Sequence, residues 1–237
     1  AVGRYYFSRP LEQLGEGGMA VVYKAFDTHL ETDVAVKVIR TENIFPSALK
    51  RTLKRFEREA KALTRLDHPN IVKVLDHGEQ DEIPYLVMPY LPGGTLKELI
   101  GKTSRTGWKE AALLLAPIAL ALEEAHRHEI IHRDVKPANI LITGSGQPML
   151  SDFGVAKVLQ ADETMDLTGT GVGVGTPAYM APEQGQGKPV DARTDIYALG
   201  VVFYELVTGR KPYSADTPMA ILHKQLSEPL PRPSKIV

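Results

Sequence analysis

The segment His132–Asn139, with the sequence HRDVKPAN, determines how the rest of this 237-residue chain is interpreted. It places Asp134, Lys136 and Asn139 within six residues, beside a proline that cannot continue a helix and favours a loop. An apolar helical pattern precedes the segment, and a short strand-like run, Ile140–Ile142, follows it. Polar side chains in a loop between rigid elements are typical of functional sites. An ordinary solvated turn could contain the same three residues, so the interpretation depends on the neighbouring sequence.

A second segment, Ser151–Gly154 (SDFG), supplies another carboxylate, Asp152, eighteen residues after Asp134. Two glycine-containing segments lie further out: Gly15–Ala20 (GEGGMA) near the start and Gly175–Glu183 (GTPAYMAPE) after the loop. In this order, the four segments resemble the signature motifs of protein kinases, and most closely the eukaryotic-like serine/threonine kinases of bacteria. The resemblance covers essentially the whole chain. It implies transfer of the γ-phosphate of ATP to serine and threonine hydroxyls of proteins.

The composition excludes several classes of protein. Lys and Arg number 28 against 29 Asp and Glu, so no whole-chain field favours nucleic acid or an anionic membrane as a partner. Cysteine is absent, which excludes disulfides and thiolate metal sites and is compatible with a reducing compartment. No apolar run approaches the ~20 residues of a membrane-spanning helix, and the N-terminus lacks the apolar core of a signal peptide. We therefore expect a cytoplasmic domain, or the cytosolic domain of a larger membrane-anchored protein.

Hydrophobic periodicity divides the chain into a strand-rich part and a helical part. Residues 1–90 are predicted to form a five-stranded antiparallel sheet with one helix, and residues 91–237 to be mainly helical. The predicted strands lie at Leu11–Leu14, Ala20–Phe26, Asp33–Ile39, Ile71–Leu75 and Tyr85–Met88. The predicted helices lie near Ser47–Leu66, Lys109–His128, Thr194–Thr208 and Pro218–Gln225. Glu129 stands where the family usually has a helix-ending glycine, so we expect a left-handed backbone there.

The resemblance implies the α+β, two-lobed protein kinase fold. Residues 1–90 correspond to the nucleotide-binding N-lobe, and residues 91–237 to a C-lobe with the catalytic loop, the activation loop and the peptide site. The chain stops at Val237, before the last helices of the family's C-lobe, so we expect a C-lobe truncated at its C-terminal end. In the family, Glu183 pairs with an arginine in those helices, and Asp195 anchors the backbone of the catalytic loop.

The glycine-rich segment Leu14–Val22 lies between two predicted strands. That context argues against a dinucleotide-binding fold, in which the glycines precede a helix, although a plain hairpin turn also fits the pattern. The resemblance implies that this hairpin closes over the phosphates of ATP, that Val22 and Ala35 cover the adenine, and that Met88–Leu91 form the gatekeeper and hinge. The residues that bind ATP are then Leu14, Gly15, Gly17, Gly18, Val22, Ala35, Lys37, Met88, Pro89 and Leu91.

Lys37 alternates in phase with Ala35 and Ile39 along its predicted strand, so its side chain should lie on the same face as Ala35. A solvated lysine on an edge strand is the alternative. The resemblance implies that Lys37 contacts the α- and β-phosphates and pairs with a glutamate on the following helix. Glu57 and Glu59 compete for that role. Because Glu59 borders the apolar stripe of the helix, we expect a Lys37–Glu59 ion pair.

The resemblance also assigns roles to the polar residues of the loop. Asp134 would accept the proton of the substrate hydroxyl, and Lys136 would neutralise the γ-phosphate. Asn139 and Asp152 would bind Mg²⁺, because hard oxygen ligands without a Cys or His cluster favour Mg²⁺ over zinc. A lysine two residues after Asp134, together with the segment Gly175–Tyr179, is typical of serine/threonine rather than tyrosine kinases.

The segment between SDFG and GTPAY is polar and glycine-rich, which predicts a mobile activation loop before modification. Thr168 and Thr170 lie where bacterial relatives carry activating phosphates, with Thr164 as an alternative. Arg133 would pair with such a phosphate, and Thr176 would shape the acceptor site. The partners implied are ATP, protein substrates and a second copy of the chain for autophosphorylation in trans.

Two other functions are compatible with parts of this pattern. A pseudokinase would use the same fold to bind nucleotide or to act as a scaffold, and a pure interaction domain would use only its surface. An interaction domain would not need Asp134, Asn139 and Asp152 together. The chain contains the complete catalytic set, which favours the enzyme: Lys37, Glu59, Asp134, Asn139 and Asp152.

Overall fold

The computed structural model of the chain describes residues 3–18, 20–42, 44, 46–103, 105–153 and 177–236. These residues divide into two compact units. The N-terminal unit contains residues 3–67 and 72–90, and the C-terminal unit contains residues 68–71, 91–153 and 177–236. In this described part of the chain, no helix has both the length and the apolar character needed to cross a membrane.

Six antiparallel strands form the sheet of the N-terminal unit. In chain order they are β1 (Tyr5–Phe7), β2 (Gln13–Glu16), β3 (Ala20–Asp27), β4 (Thr32–Ile39), β5 (Asp76–Gln80) and β6 (Ile83–Pro89). Strands β1 and β2 pair with different parts of the same strand, β3. Because these two short strands share one edge, and β4, β6 and β5 follow on the other side, the sheet is five strands wide. The predicted antiparallel sheet is confirmed.

Two details of this sheet differ from the sequence prediction. Strand β1 has only three residues, too few to show an alternating pattern, and was not predicted. The strand predicted at Ile71–Leu75 is wrong, because this run is irregular apart from one bridge between Ile71 and Leu150. The strand that pairs with β6 begins instead at Asp76 and has the polar sequence DHGEQ. Backbone pairing, rather than apolar alternation, makes these residues a strand.

The register separates the two faces of the sheet, because directly opposite residues and alternate residues share a face. The buried core cluster of one face consists of Tyr5, Ala25, Val34, Val36 and Val87. Helix α1 (Pro46–Leu63) packs against β5 and β6. It buries Phe56, Ala60 and Leu63 at four- and three-residue spacing, which confirms the predicted apolar stripe.

The C-terminal unit is mainly helical, as predicted. Its elements are α2 (Leu96–Lys102), α3 (Trp108–Arg127), β7 (Ile140–Ile142), β8 (Pro148–Leu150), α4 (Pro182–Gly185), α5 (Ala192–Thr208) and α6 (Pro218–Ser227). Helices α3 and α5 pack together and bury Ile118, Leu122 and Val202 completely. Helix α2 was missed, although its capping box, formed by Thr95 and Glu98, is a signal that the sequence displays.

Residues 68–71 belong to the C-terminal unit, although residues of the N-terminal unit flank them in sequence. The N–H of Leu150 donates to the carbonyl of Asn70 at 2.7 Å, and the Asn70 side chain donates to the carbonyl of Pro148 at 2.8 Å. Ile71 also forms a parallel bridge with Leu150. These contacts attach the segment to the β7–β8 hairpin. The predicted division of the chain at residue 90 stays a prediction.

Candidate active site

Several residues around the predicted catalytic loop have a left-handed backbone although none of them is glycine. Glu129, Arg133 and Asp152 have φ angles of 60°, 65° and 63°. This conformation costs roughly 1–2 kcal/mol for a residue with a Cβ atom, so the surrounding contacts must hold it. The left-handed backbone expected at Glu129 is confirmed.

Asp195 holds the backbone of the loop from the first turn of α5, where it is 1% exposed. Its Oδ2 accepts a hydrogen bond from the His132 N–H at 2.8 Å, and its Oδ1 accepts one from the Arg133 N–H at 2.8 Å. The same Oδ2 lies 2.7 Å from Nε2 of His126 on α3. A buried carboxylate needs such partners. This one carboxylate therefore joins α3, the loop and α5, as expected for Asp195, while the contribution of His126 was not predicted.

His132 is fully buried and is bonded at both ring nitrogens. Its Nε2 lies 2.8 Å from the carbonyl oxygen of Ser151, and its Nδ1 accepts from the N–H of Asp134 at 3.2 Å. These two backbone partners select the neutral imidazole with its proton on Nε2. The ring also packs on Phe153, with 4.6 Å between centroids. Burial lowers the pKa of His132, because the charged ring would lose its hydration.

Asp134, Lys136 and Asn139 form one cluster. The Nζ of Lys136 lies 2.8 Å from Oδ2 of Asp134. The side-chain Nδ2 of Asn139 donates to the same Oδ2 at 3.0 Å and to the main-chain oxygen of Asp134 at 2.8 Å. The side chains of Asp134 and Lys136 are 20% and 22% exposed, so both still reach solvent. The structure thus brings together the predicted base, the predicted lysine and one predicted metal ligand.

Asn139 and Asp152 have the donor atoms that Mg²⁺ prefers. The Nδ2 group of Asn139 is engaged by Asp134, and in the described part of the chain its Oδ1 accepts no hydrogen bond. Asp152 directly follows Ser151, whose N–H and hydroxyl both donate to the carbonyl of Asn139. No group of three or more His, Cys, Asp or Glu that could hold a metal occurs among the described residues. Two oxygen ligands fit Mg²⁺, which is usually bound by one or two protein groups plus phosphates and water.

Glu183 is bonded to the first turn of α5. Its Oε1 accepts a hydrogen bond from the hydroxyl of Thr194 at 2.6 Å. Thr194 directly precedes Asp195 on α5 and is also 1% exposed. The arginine partner that the resemblance implies for Glu183 stays a prediction. The predicted regulatory residues Thr168, Thr170 and Thr176, with the alternative Thr164, lie outside the described residues.

The glycine-rich hairpin of the N-terminal unit has space beside its backbone. The N–H of Gly17 donates to the carbonyl of Ala20 at 2.9 Å and closes the turn. Among the residues that the structure describes, a Cβ atom added at Gly15 would meet nothing within 4 Å, and one at Gly17 would meet only the Ala20 oxygen at 3.9 Å. Packing against the described residues therefore does not require Gly15 or Gly17, and the space fits a group that approaches the backbone closely. Gly18 and Leu14 are exposed in the same hairpin.

Glu16, which lies between these glycines, is held by surface contacts that were not predicted. Its carboxylate pairs with the guanidinium of Arg40 and accepts from Nε2 of Gln13 at 3.0 Å. The hydrogen bond from Arg40, followed by that from Gln13, lowers the pKa of Glu16. The side chains of Glu16 and Arg40 are 53% and 35% exposed, so water and salt screen this pair.

The register places four predicted ATP-binding side chains on one face of the sheet. Val22 lies opposite Lys37, and Ala35 lies opposite Met88. Because opposite and alternate residues share a face, all four lie on the face away from the buried core cluster. The predicted phase of Lys37 with Ala35 is confirmed.

The helical phase of the two competing glutamates is also as predicted, since Glu59 is half-buried and Glu57 is exposed. The carboxylate of Glu59 lies 2.9 Å from the guanidinium of its neighbour Arg58. The Lys37–Glu59 ion pair stays a prediction.

The predicted hinge begins at the end of strand β6. Met88 is buried, and Pro89 lies opposite Val34 at the last pair of the β4–β6 ladder. A proline lacks the N–H but keeps its carbonyl as an acceptor. Leu91 is the first residue of the C-terminal unit beyond this strand. The adenine contacts of Pro89 and Leu91 stay predictions.

Comparison with known proteins agrees with this geometry. The family model described as "Protein kinase domain" matches residues 8–235. The serine/threonine-protein kinase PrkC of Bacillus subtilis is 41% identical over 229 residues, which cover 97% of this chain and 34% of PrkC. The serine/threonine-protein kinase PknB of Mycolicibacterium smegmatis is 41% identical over 228 residues, which cover 94% of this chain and 36% of PknB. The chain thus spans about a third of the length of these relatives.

A solved structure shows the same fold. The crystal structure of a variant of the PknI kinase domain of Mycobacterium tuberculosis superimposes with a TM-score of 0.72 at 27% sequence identity. The match covers 98% of this chain and 81% of that domain. Because the family model spans nearly the whole chain, and the fold and the catalytic-loop cluster agree with it, this chain belongs to the protein kinase domain family.

Proposed function

We propose that this domain is a serine/threonine protein kinase that uses ATP and Mg²⁺. The observation that carries the proposal is the cluster of Asp134, Lys136 and Asn139, in a loop whose backbone is bonded to the buried carboxylate of Asp195. Phosphoryl transfer depends on positioning and on neutralisation of charge more than on covalent chemistry by the protein. A preformed loop with a carboxylate, an ammonium group and an amide oxygen suits that requirement.

The clustered polar residues of the C-terminal unit then have complementary roles. When bound, ATP supplies the phosphoryl group, and Mg²⁺ is the cation that neutralises its charge. Asp134 accepts the proton of the acceptor hydroxyl, in an orientation that Lys136 and Asn139 fix through Oδ2. Lys136 also stabilises negative charge on the transferred phosphate. Asn139 and Asp152 hold the metal through their side-chain oxygens.

The N-terminal unit contributes the groups that bind the nucleotide. Lys37 contacts the phosphates and Glu59 orients it. The backbone at Gly15, Gly17 and Gly18 covers the phosphates, a role supported by the open space beside Gly15 and Gly17. The adenine lies against the face that carries Val22 and Ala35, and bonds to the main chain at Pro89 and Leu91, with Leu14 and Met88 beside it.

The names of the relatives favour serine and threonine as acceptors. PrkC and PknB are both serine/threonine-protein kinases, and the lysine two residues after Asp134 is shared with that class. We place the domain in the cytoplasm, where ATP is available. Its partners are then ATP and the protein substrates.

We further propose that the activation loop is switched on by autophosphorylation in trans, between two copies of the chain. Thr168 and Thr170 are the proposed acceptors. A phosphate brings about −1.5 to −2 charges, and the guanidinium of Arg133, next to Asp134, would form charge-assisted hydrogen bonds with it. Ordering of the loop would place Thr176 at the acceptor site.

Intact mass spectrometry after incubation with ATP and Mg²⁺ tests the enzyme proposal. The wild type should gain phosphates, whereas Asp134→Asn should be slower by about 10²–10⁴-fold. Asp152→Ala should lose at least as much, because it removes charge neutralisation as well. Chelation of Mg²⁺ should stop the reaction. A wild type no faster than these variants would instead support the pseudokinase.

The activation proposal is tested by the double variant Thr168→Ala, Thr170→Ala, with Thr164→Ala as the matched control. The double variant should lose most activity toward other proteins, and the control should keep it. Dilution should slow wild-type autophosphorylation per molecule, because a reaction in trans is bimolecular. Full activity of the double variant would place the switch elsewhere.

A further inference from the structure

Gln184 lies on the short helix α4 and has no role in the kinase motifs described above. Its side-chain Nε2 donates to the carbonyl oxygen of Arg133 at 3.0 Å. Its Oε1 accepts from the N–H of Ala181 at 3.0 Å. One amide group therefore bonds the catalytic loop on one side and the segment that follows the GTPAY motif on the other.

The main-chain groups of Arg133 are held on both sides by side chains. Its N–H donates to Asp195 at 2.8 Å, and its carbonyl accepts from Gln184 at 3.0 Å. The residue has a φ of 65°, a conformation that residues with a Cβ atom disfavour. Without both contacts, Arg133 could relax toward an ordinary backbone conformation. Because the next residue is Asp134, such a change would turn its carboxylate.

Helix α4 is itself fixed to the start of α5. Glu183 accepts the hydroxyl hydrogen bond of Thr194 at 2.6 Å, and Thr194 is followed by Asp195. Both α5 residues are 1% exposed. The first turn of α5 thus holds α4 through Thr194 and the catalytic loop through Asp195. Gln184 makes the third connection, directly between α4 and the loop.

We propose that Gln184 is a positioning residue for the phosphoryl-transfer reaction. Its amide fixes the Arg133 carbonyl, and thereby the direction of Asp134, relative to the segment 177–185. This inference rests on the proposed function, because Asp134 is the proposed base. The contact lies in the C-terminal unit and involves none of the residues proposed to bind ATP. Loss of Gln184 should therefore lower kcat and leave the KM for ATP unchanged.

Gln184→Met tests this directly, because methionine keeps the length and bulk but has no amide to donate or accept. We expect kcat for peptide phosphorylation to fall on the order of 10-fold, since small misplacements of catalytic groups have effects of this size or larger. The KM for ATP should stay within about twofold, because a contact that acts only in the transition state does not change ground-state binding. Gln186→Met is the matched control, because Gln186 is exposed two residues further on.

Gln184→Glu provides a readout that a purely structural role would not change. The carboxyl group of the glutamate can still accept a hydrogen bond from the Ala181 N–H. It can donate one to the Arg133 carbonyl only when it is protonated, because an ionised carboxylate has no proton to donate. The ratio of its kcat to that of the wild type should therefore rise as the pH falls from about 8 to about 6, because repulsion between an ionised carboxylate and the Arg133 carbonyl oxygen favours the protonated form. A ratio that does not change with pH overturns the proposal. This measurement can be made even if the Gln184→Met variant does not fold.

Hydrogen exchange separates this proposal from the proposed function. If the wild type transfers no phosphate, the proposed function fails, but the contact can still be measured. Gln184→Met should raise the exchange rate of the Arg133 and Asp134 amides by about tenfold relative to Gln186→Met, because it loosens the loop. Equal exchange in the two variants, or an unchanged kcat in folded Gln184→Met, overturns the inference.

Discussion

The catalytic loop and the glycine-rich hairpin are held by different kinds of contact. Backbone N–H groups of the loop donate to the carboxylate of Asp195, which is almost completely buried, whereas the side chains that pair in the hairpin lie at the surface. His132 is fully buried and Asp195 is 1% exposed, but Glu16 and Arg40 are 53% and 35% exposed. Hydrogen bonds in a buried network are strengthened by the low dielectric, while exposed ion pairs contribute about 0–1 kcal/mol. The difference indicates that the catalytic loop is held more firmly than the glycine-rich hairpin.

Asp195→Asn should have the largest effect, because it places an amide NH₂ group against donors that now meet a carboxylate. We expect the free energy of unfolding to fall by about 3–5 kcal/mol, as for other disrupted buried charges. Urea denaturation measures this loss, and Asp191→Asn on the exposed N-cap of the same helix provides a control. A loss below about 1 kcal/mol would remove the contrast between the two regions.

His132→Phe should have the next largest effect. Phenylalanine keeps a ring against Phe153 but leaves the Ser151 carbonyl and the Asp134 N–H without partners. Each unsatisfied buried group costs about 1–3 kcal/mol. Because the bond to the Asp134 N–H is only partly buried, we expect a combined loss of about 2–4 kcal/mol in the free energy of unfolding. An effect no larger than that of an exposed substitution would contradict the bonding of the ring to the loop.

The same variant should change the dependence of stability on pH. Because burial lowers the pKa of His132 in the folded state, the unfolded chain binds a proton first as the pH falls below about 6.5. The wild type should therefore lose stability between about pH 7 and about pH 5, and the slope should be smaller in His132→Phe. Identical slopes in both proteins would show that His132 does not contribute.

Glu129→Gly should have a smaller effect in the opposite direction. Glycine adopts the observed φ of 60° without the steric cost of a Cβ atom, and part of that gain is offset by the entropy of glycine in the unfolded chain. We expect a stabilisation of about 0.5–1 kcal/mol, measured as a rise in Tm of about 1–4 °C. Glu110→Gly within α3 is the control and should be destabilising. A fall in Tm for Glu129→Gly would show that the glutamate side chain itself stabilises the loop.

Glu16→Gln should have the smallest effect on stability, at most about 1 kcal/mol. Because the partner Arg40 is also partly exposed, this difference should shrink as the salt concentration rises. The KM for ATP is the more sensitive measurement, since Glu16 lies between the glycines proposed to cover the phosphates. A loss of stability equal to that of Asp195→Asn would mean that the hairpin is held as firmly as the loop.

Local patterns predicted much of the fold. Alternation placed Lys37 and Ala35 on one face, and three- and four-residue spacing identified the buried side of α1 with Phe56 and Ala60. Both features depend on residues that are neighbours in sequence. Strand β5 was misplaced because its polar residues are ordered by pairing with β6, which no local pattern displays.

The side chains that hold the candidate site were harder to predict. His126 and His128 are two residues apart near the end of α3, yet their side chains are 15% and 48% exposed, and only His126 contacts Asp195. Gln184 and Thr194 similarly gain importance from partners that are distant in sequence. Nothing in their local sequence distinguishes them. The motifs identified the residues of the proposed chemistry, whereas the tertiary structure was needed to find what orients them.

The attachment of residues 68–71 to the β7–β8 hairpin sets an order of events during translation. The last strand of the N-terminal sheet ends at Pro89. Pro148, which accepts the hydrogen bond of the Asn70 side chain, comes 78 residues after Asn70. At about 5–20 residues per second, the ribosome needs about 4–16 s to synthesise that distance. Ile71, which is 4% exposed in the folded protein, stays uncovered by its hairpin partner meanwhile. We expect nascent chains that are arrested after the sheet is complete, but before Pro148 is synthesised, to be cleaved by proteases near residue 70 before they are cleaved in the sheet.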